Sequence, residues 1–423
     1  MVTKKSWTVM VYLAGDNNLD GAGVVDLKEM KKVGSNDQVN ILAQFDRAGA
    51  KAQTIRYCLR KNTSLAKDAM KRLGETDMGD PKVLKDFVSW SVNNYPAEHY
   101  MLVLWNHGAG WDDANLYEGD VFSGAAPPVT RKKQPLGSTR GGGKALRAAQ
   151  VRAGIARTHR ALFRTTVEKV VRTRAIAFDD QAQDFLDNIE LKRVLLSIKK
   201  MLKRKIDILG MDACLMSMLE VAYQIKGAAA YQVGSEETEP GEGWPYDRIL
   251  KTLAAKPSMS PSELAANVVN QYLASYGSDE DVTQSALNLS TLDPLAQAVD
   301  RLATILKGAL GNSAAQTGIM TARTQVQEYS RPYDDYCDLL DLCELLAQRV
   351  HEPAVTQACL AVKQAASQAL VAGGFKGSRV SHSHGISIYF PKRKLSPLYG
   401  SLDFIKKTSW SQFAQAYLAA IGR

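Results

Sequence analysis

Between residues 7 and 110 short apolar runs alternate with amphipathic stretches, and this rhythm limits the fold more than any other feature of the chain. The runs 8–14 (TVMVYLA), 39–45 (VNILAQF), 54–59 and 100–105 (YMLVLW) read as buried strands; the first two are bounded by Gly, Asn and Asp, as strands of a parallel sheet are. Between them, 19–33 puts Val24, Val25, Leu27 and Met30 on one helical side, and 82–94 is a second helix with Val83, Leu84, Phe87, Val88 and Trp90. Alternation of this kind requires crossover connections and a sheet covered on both faces. The rhythm resumes with a helix over 185–201, a strand at 206–211, a helix over 215–225 and a strand at 230–235. Past residue 260 helices dominate (262–276, 294–310, 336–350), with strands at 282–289 and 385–390. We expect an α/β fold: residues 1–250 as the main domain, and a mainly helical part, 251–423, adding strands to it.

Residues 112–176 break the pattern with Pro127–Pro128, Pro135 and the Gly141–Gly143 run. They also explain the charge. The formal +9 suggests a polyanionic partner, yet residues 129–176 hold 13 Lys/Arg against the single acid Glu168. The rest of the chain has 40 basic and 43 acidic residues, a net −3. The body is near neutral and one segment carries the excess. From Lys144 onward that segment has rough helical spacing of apolar residues among arginines, which suits a nucleic acid or an anionic membrane. A solvated Gly/Pro-rich insertion is the plainer reading.

Hydrophobic residues make up 45% of the 423 and charged ones 23%, as in ordinary globular chains. No run approaches the roughly 20 apolar residues that span a bilayer. The apolar stretch 9–13 is too short for the core of a signal peptide, so the expectation is a cytoplasmic protein. Five scattered cysteines (58, 214, 337, 343, 359) form neither a CxxC pair nor a regular spacing, which argues against a disulfide scaffold and a zinc site.

Two strand ends carry the chemistry: YMLVLW followed by Asn106-His107-Gly108, and IDILGM followed by Asp212-Ala213-Cys214. Ligands of open α/β sheets gather beyond the carboxyl ends of the strands, so this His and Cys can meet although they lie 107 positions apart. Each alone is more often a packed or backbone-capping residue. At matching strand ends the pair reads equally as packing residues or as a nucleophile with its acid/base partner. If a helix begins at Cys214, its N-terminus would lower the thiol pKa. The amides of Gly108 and Cys214 are the expected oxyanion donors. His382 and His384 precede a strand rather than follow one and rank behind. His99, His159 and His351 lack such a context.

In order along the chain, WTVMVYLAGDNNLD, QFDR at 44–47, MGDP at 78–81, NYPAEHYMLVLWNHGAGW, MDACLM and GSEETEPGEGWPY resemble the clostripain family of cysteine peptidases, relatives of gingipain, legumain and the caspases. The resemblance implies a caspase-like α/β/α sandwich and a His107/Cys214 dyad. It implies cleavage after Arg or Lys in a protein or peptide substrate, with acidic groups in the S1 pocket. Asp212 matches one acidic position, where the alternative is a charge at a helix N-terminus. Glu242 is expected as the second, and Trp244 as a pocket wall or as packing of its loop. Some members cut themselves between the His and Cys segments. The insertion offers Arg131, Lys132, Lys133 and Arg140 there, although it is longer than the family's usual linker. Some members use calcium; Asp179, Asp180, Asp184 and Asp187 are acidic candidates without a defined binding loop, equally readable as helix N-terminal charges. The competing reading is a binding protein that uses 130–176 to contact nucleic acid or membrane.

Overall fold

The computed structural model describes residues 4–49, 52–108, 110–111, 176–179, 184–329 and 335–422. The strands, in chain order, begin with β1 (Lys5–Gly15), β2 (Val39–Arg47), β3 (Thr54–Cys58), β4 (Ala69–Gly74) and β5 (Ala97–Trp105). A short hairpin, β6 (Ile176–Asp179) and β7 (Asp184–Leu186), precedes β8 (Ile206–Asp212), β9 (Ala229–Gly234) and β10 (Val282–Asn288). The last are β11 (Glu328–Tyr329), β12 (Tyr336–Asp338), β13 (Leu370–Lys376) and β14 (Ser387–Tyr389). Nine of them make one sheet in the order β13-β10-β9-β8-β5-β1-β2-β3-β4. Its centre, β9-β8-β5-β1-β2, is parallel throughout, and both flanks are antiparallel.

Side-chain alternation along the central strands splits the interior into two cores. Met10, Tyr12 and Ala14 of β1, with Leu102 and Leu104 of β5, enter one core. Val9, Val11 and Leu13, with Met101, Val103 and Trp105, enter the other. The first is covered by helices including Pro81–Asn94, Asn188–Leu202 and Leu292–Ala309. The second is covered by Asp20–Val33, Tyr246–Ala255 and Pro261–Ser275. This is an α/β/α sandwich. Both faces are buried, so the parallel strands read as unbroken apolar runs. Among the described residues no helix is long and apolar enough to cross a membrane.

Three sequence expectations change. The helix expected from 215 begins only at Leu219. The strand near 385–390 is the short β14, in a separate three-stranded sheet with β11 and β12. The edge strands β4 and β13 were not expected. In β13 Gly373 and Gly374 interrupt the apolar pattern, and its side chains are only half-buried.

Candidate active site

Strands β8, β5 and β1 are parallel neighbours, paired Trp105↔Asp212 and Leu13↔Trp105. Their carboxyl ends therefore emerge side by side, bearing Asp212-Ala213-Cys214, Asn106-His107-Gly108 and Asp16-Asn17-Asn18. Asn106 fastens the three together. Its Nδ2 donates to the Ala14 carbonyl at 2.7 Å, and its Oδ1 accepts from Asn17 Nδ2 at 3.2 Å. Its backbone N–H reaches the Asp212 carbonyl at 3.3 Å, and its side chain also receives the His107 N–H.

The histidine and cysteine segments are in contact through Gly108. A Cβ at that position would lie 2.3 Å from the Cys214 carbonyl oxygen and 3.1 Å from its nitrogen, so only glycine fits without moving the backbone. Gly108→Ala is expected to lower kcat about 100-fold, the order that a 1 Å displacement of reacting groups costs. Overpacking should also lower Tm; steady-state kinetics and thermal unfolding read the two effects separately.

Cys214 is 7% exposed. Its Sγ accepts the Glu239 N–H at 3.2 Å and also faces the Gly108 N–H. The expected helix N-terminus is absent: Cys214 sits on a tight turn in which Leu215 has φ 64°, and the helix starts at Leu219. Burial, with the Glu239 and Glu237 carboxylates nearby, instead pushes the thiol up to about 12. Burial also pulls His107 down to about 4. The resting site thus holds a neutral thiol and a neutral imidazole.

His107 Nε2 meets Asn18 Oδ1 at 2.7 Å. With an amide oxygen as partner, Nε2 carries the ring proton and the basic lone pair sits on Nδ1. Sequence reading did not single out Asn18; the signal was its place at the end of the strand beside β5. Asn18→Ala is expected to reduce kcat about tenfold, the worth of one hydrogen bond, with KM nearly unchanged. A KM increase without loss of kcat would remove Asn18 from this role.

Beside the thiol lies an acidic recess. Asp212 is buried and its Oδ2 accepts from the Tyr246 hydroxyl at 2.7 Å. The carboxyl group that meets it belongs to Glu239, whose Oε1 accepts from Gln284 Nε2 at 3.2 Å. Glu242, expected in this place, is exposed on the surface. The sequence SEETEPGE holds several carboxylates, and only the path of the loop shows which of them turns inward. Gly243, at φ 58°, brings the backbone to within 3.1 Å of Asp212 Oδ1, measured from a notional Cβ. Trp244 is fully buried and its ring packs under β8, where Gly210 leaves room for it. Asp26 approaches Asp212 from the opposite helix while accepting Trp105 Nε1 at 2.7 Å.

Other expected residues fall elsewhere. His384 Nδ1 lies 3.0 Å from Asp338 Oδ1, and the next residue, Gly385, accepts from the Ser217 hydroxyl at 2.8 Å; His99 stacks on Trp7 at a ring distance of 4.8 Å. Asp187 caps the helix Asn188–Leu202 in a capping box with Glu190. Asp180 and the processing positions Arg131, Lys132, Lys133 and Arg140 lie outside the described residues, as do the side chains of Asp179 and Asp184. Among the described residues, Asp16, Asp46 and Glu75 offer carboxylate oxygens within 4.8 Å of one another, an all-oxygen set of the kind hard cations take.

The family profile described as "Clostripain family" (peptidase C11) matches residues 11–121 and 158–417, leaving out much of the basic insertion. Clostripain of Hathewaya histolytica is 24% identical over 394 residues. That alignment takes in 80% of this chain and 65% of clostripain, so the chain spans just under two thirds of that relative's length. A secreted C11 cysteine protease of Bacteroides thetaiotaomicron, solved with an irreversible peptide inhibitor, superposes with a TM-score of 0.62 at 21% identity, covering 96% of this chain and 100% of that one. An inactive zymogen C11 protease of Parabacteroides distasonis superposes with a TM-score of 0.62 at 20% identity, covering 96% and 99%. These structures share the fold. The profile match over most of the chain places it: this protein belongs to the clostripain family.

Proposed function

We propose that this chain is a cysteine endopeptidase that cleaves after Arg or Lys, with Cys214 as nucleophile and His107 as acid/base. The carrying observation is the contact of Gly108 with Cys214 at the ends of adjacent parallel strands, beside a buried pair of carboxyl groups.

The geometry supports the following chemistry. Cys214 Sγ attacks the scissile carbonyl carbon while its proton passes to His107 Nδ1. The oxyanion takes N–H donors from Gly108 and Cys214. Collapse breaks the C–N bond, and the imidazolium gives its proton to the departing amine, leaving a thioester. His107 then takes a proton from water, the hydroxide adds to the thioester, and collapse returns the thiol and frees the new carboxyl terminus. In S1 the carboxyl groups of Asp212 and Glu239 face a guanidinium or ammonium in a site of low dielectric. Glu239 replaces Glu242 in this assignment.

The neutral, covered thiol fits a resting form. With Sγ pushed up to about 12 and His107 pulled down to about 4, proton transfer is uphill until the site opens. We assign the basic insertion the role of substrate in cis, its cleavage releasing the active form. Intact-mass spectrometry of wild type beside Cys214→Ala tests this. The expected result is fragments in the wild type alone, ending in Arg or Lys within 130–176. The same fragments in Cys214→Ala would assign the cut to another protease.

A further inference from the structure

The two carboxyl groups are in contact with each other, and among the described residues no cationic side chain is set between them. Asp212 is 4% exposed; its carboxyl accepts from the Tyr246 hydroxyl and from the Trp244 backbone N–H. Glu239 uses Oε1 for Gln284, and its buried carboxyl otherwise faces the Trp244 indole N–H and the Asp212 carboxyl. The ionisable groups that face the pair come from every surrounding element. Asp26 comes from the helix Asp20–Val33, Tyr246 from Tyr246–Ala255, Tyr272 and Tyr276 from the end of Pro261–Ser275 and just beyond, and Cys214 from the adjoining turn. Every one of these is an acid. Gln284 of β10 is neutral.

Two carboxylates in contact inside a protein do not both ionise without a counter-charge, and one proton bridging them satisfies an acceptor on each. We propose that Asp212 and Glu239 hold one proton between them in the empty pocket and release it when a cationic P1 side chain seats. Recognition of a basic residue is then an exchange: the carboxyl O–H ionises, its proton leaves to solvent, and the guanidinium or ammonium takes its place. The inference rests on the Arg/Lys reading above and adds to it how that selectivity depends on pH. Burial holds both groups above the ordinary carboxylate range, Asp212 at about 6, in keeping with a shared proton.

The exchange has a consequence that a fixed pair of negative charges lacks. Below the pH at which the shared proton leaves unaided, affinity for a basic side chain should fall up to about tenfold per pH unit, because each binding event must expel one proton. A neutral side chain of the same shape, citrulline, expels none. Its affinity should stay flat or improve as pH falls, since the protonated pair can donate to the urea oxygen. Selectivity for Arg over citrulline should therefore shrink on acidification.

The experiment is titration calorimetry of the wild-type chain with the product-like peptide acetyl-Ala-Ala-Arg and its citrulline analogue, in phosphate and in Tris at pH 7. For the arginine peptide, the expected apparent enthalpy differs between buffers by about one proton's ionisation heat, reflecting release. For the citrulline peptide it does not differ. Glu239→Gln, which cannot share a proton in the same way, should bind the arginine peptide with most of the buffer dependence gone. A buffer-independent enthalpy for arginine, bound more tightly than citrulline, overturns the exchange and leaves the basic-P1 reading standing. Equal affinity for the two peptides overturns that reading and the exchange with it.

Discussion

Cys214→Ala should lower peptide hydrolysis by at least about 10⁴-fold in kcat, because removing the nucleophile of a covalent mechanism leaves only binding and the oxyanion donors to act on the substrate. No other cysteine can take over. Cys58, Cys337, Cys343 and Cys359 are all buried away from His107, and Cys337 is also pushed up to about 12 by burial. The substitution should leave the fold intact: Cys214 lies on a turn, and its sulfur accepts only weak backbone contacts. Tm is expected within a few degrees of wild type, which separates loss of chemistry from loss of structure. His107→Ala should fall to nearly the same floor, and the double variant no lower, since residues that act as one unit are not additive. Kinetics on a peptide with Arg at P1 read all three variants.

The second large effect is at Asp212. Asp212→Asn keeps the shape and the Tyr246 contact but removes the ionisable group from the proposed S1 pocket. Loss of one partner of a buried charge pair costs roughly 2–5 kcal/mol, so kcat/KM for P1 Arg should fall about 10²-fold or more. Hydrolysis after a neutral residue should change far less. The same variant should gain stability at neutral pH. Burial raises Asp212 from 3.8 to about 6 in the folded chain, so between those pH values the folded form keeps a proton that the unfolded form has released. Stability therefore declines as pH rises through that window, and asparagine removes the decline. A variant with lower activity and higher Tm at pH 7 than wild type is the expected result. Lower Tm at pH 7 would mean that the carboxylate supports the fold rather than being held against its own ionisation.

Much of this site was legible because two local patterns coincide with one topological rule. HGxG after YMLVLW and DxC after IDILGM each mark the end of an apolar run, and parallel neighbours bring those ends together. Gly108 is the clearest case: the sequence placed a glycine after the histidine, and the fold explains it by the closeness of the Cys214 backbone. What could not be read depended on contacts distant in the chain. The helix start near Cys214 was displaced because Leu215 takes a left-handed turn and Ser217 donates its N–H to Ser235 of the next strand's loop, geometry that apolar spacing does not encode. Glu239 and Glu242 are indistinguishable in SEETEPGE. The fold puts the Glu239 carboxyl against Asp212 and leaves Glu242 exposed, which supports Glu239 as the proposed partner of Asp212. Asn18 carried no role in the sequence reading; the pairing of β1 with β5 brings it to His107. The edge strands β4 and β13 escaped because edges carry half-exposed, mixed residues that lack the signature of the buried centre.

The central claim, that Cys214 is the nucleophile of a basic-specific peptidase, is tested most directly by covalent labelling. Wild-type protein is treated with a peptidyl acyloxymethyl ketone bearing Arg at P1, digested with a protease of different specificity, and mapped by mass spectrometry. One adduct is expected, on Cys214, formed in step with loss of hydrolysis and absent when Arg is replaced by Glu. An adduct on Cys58, Cys337, Cys343 or Cys359 instead, or full hydrolysis with Cys214 unmodified, would contradict it.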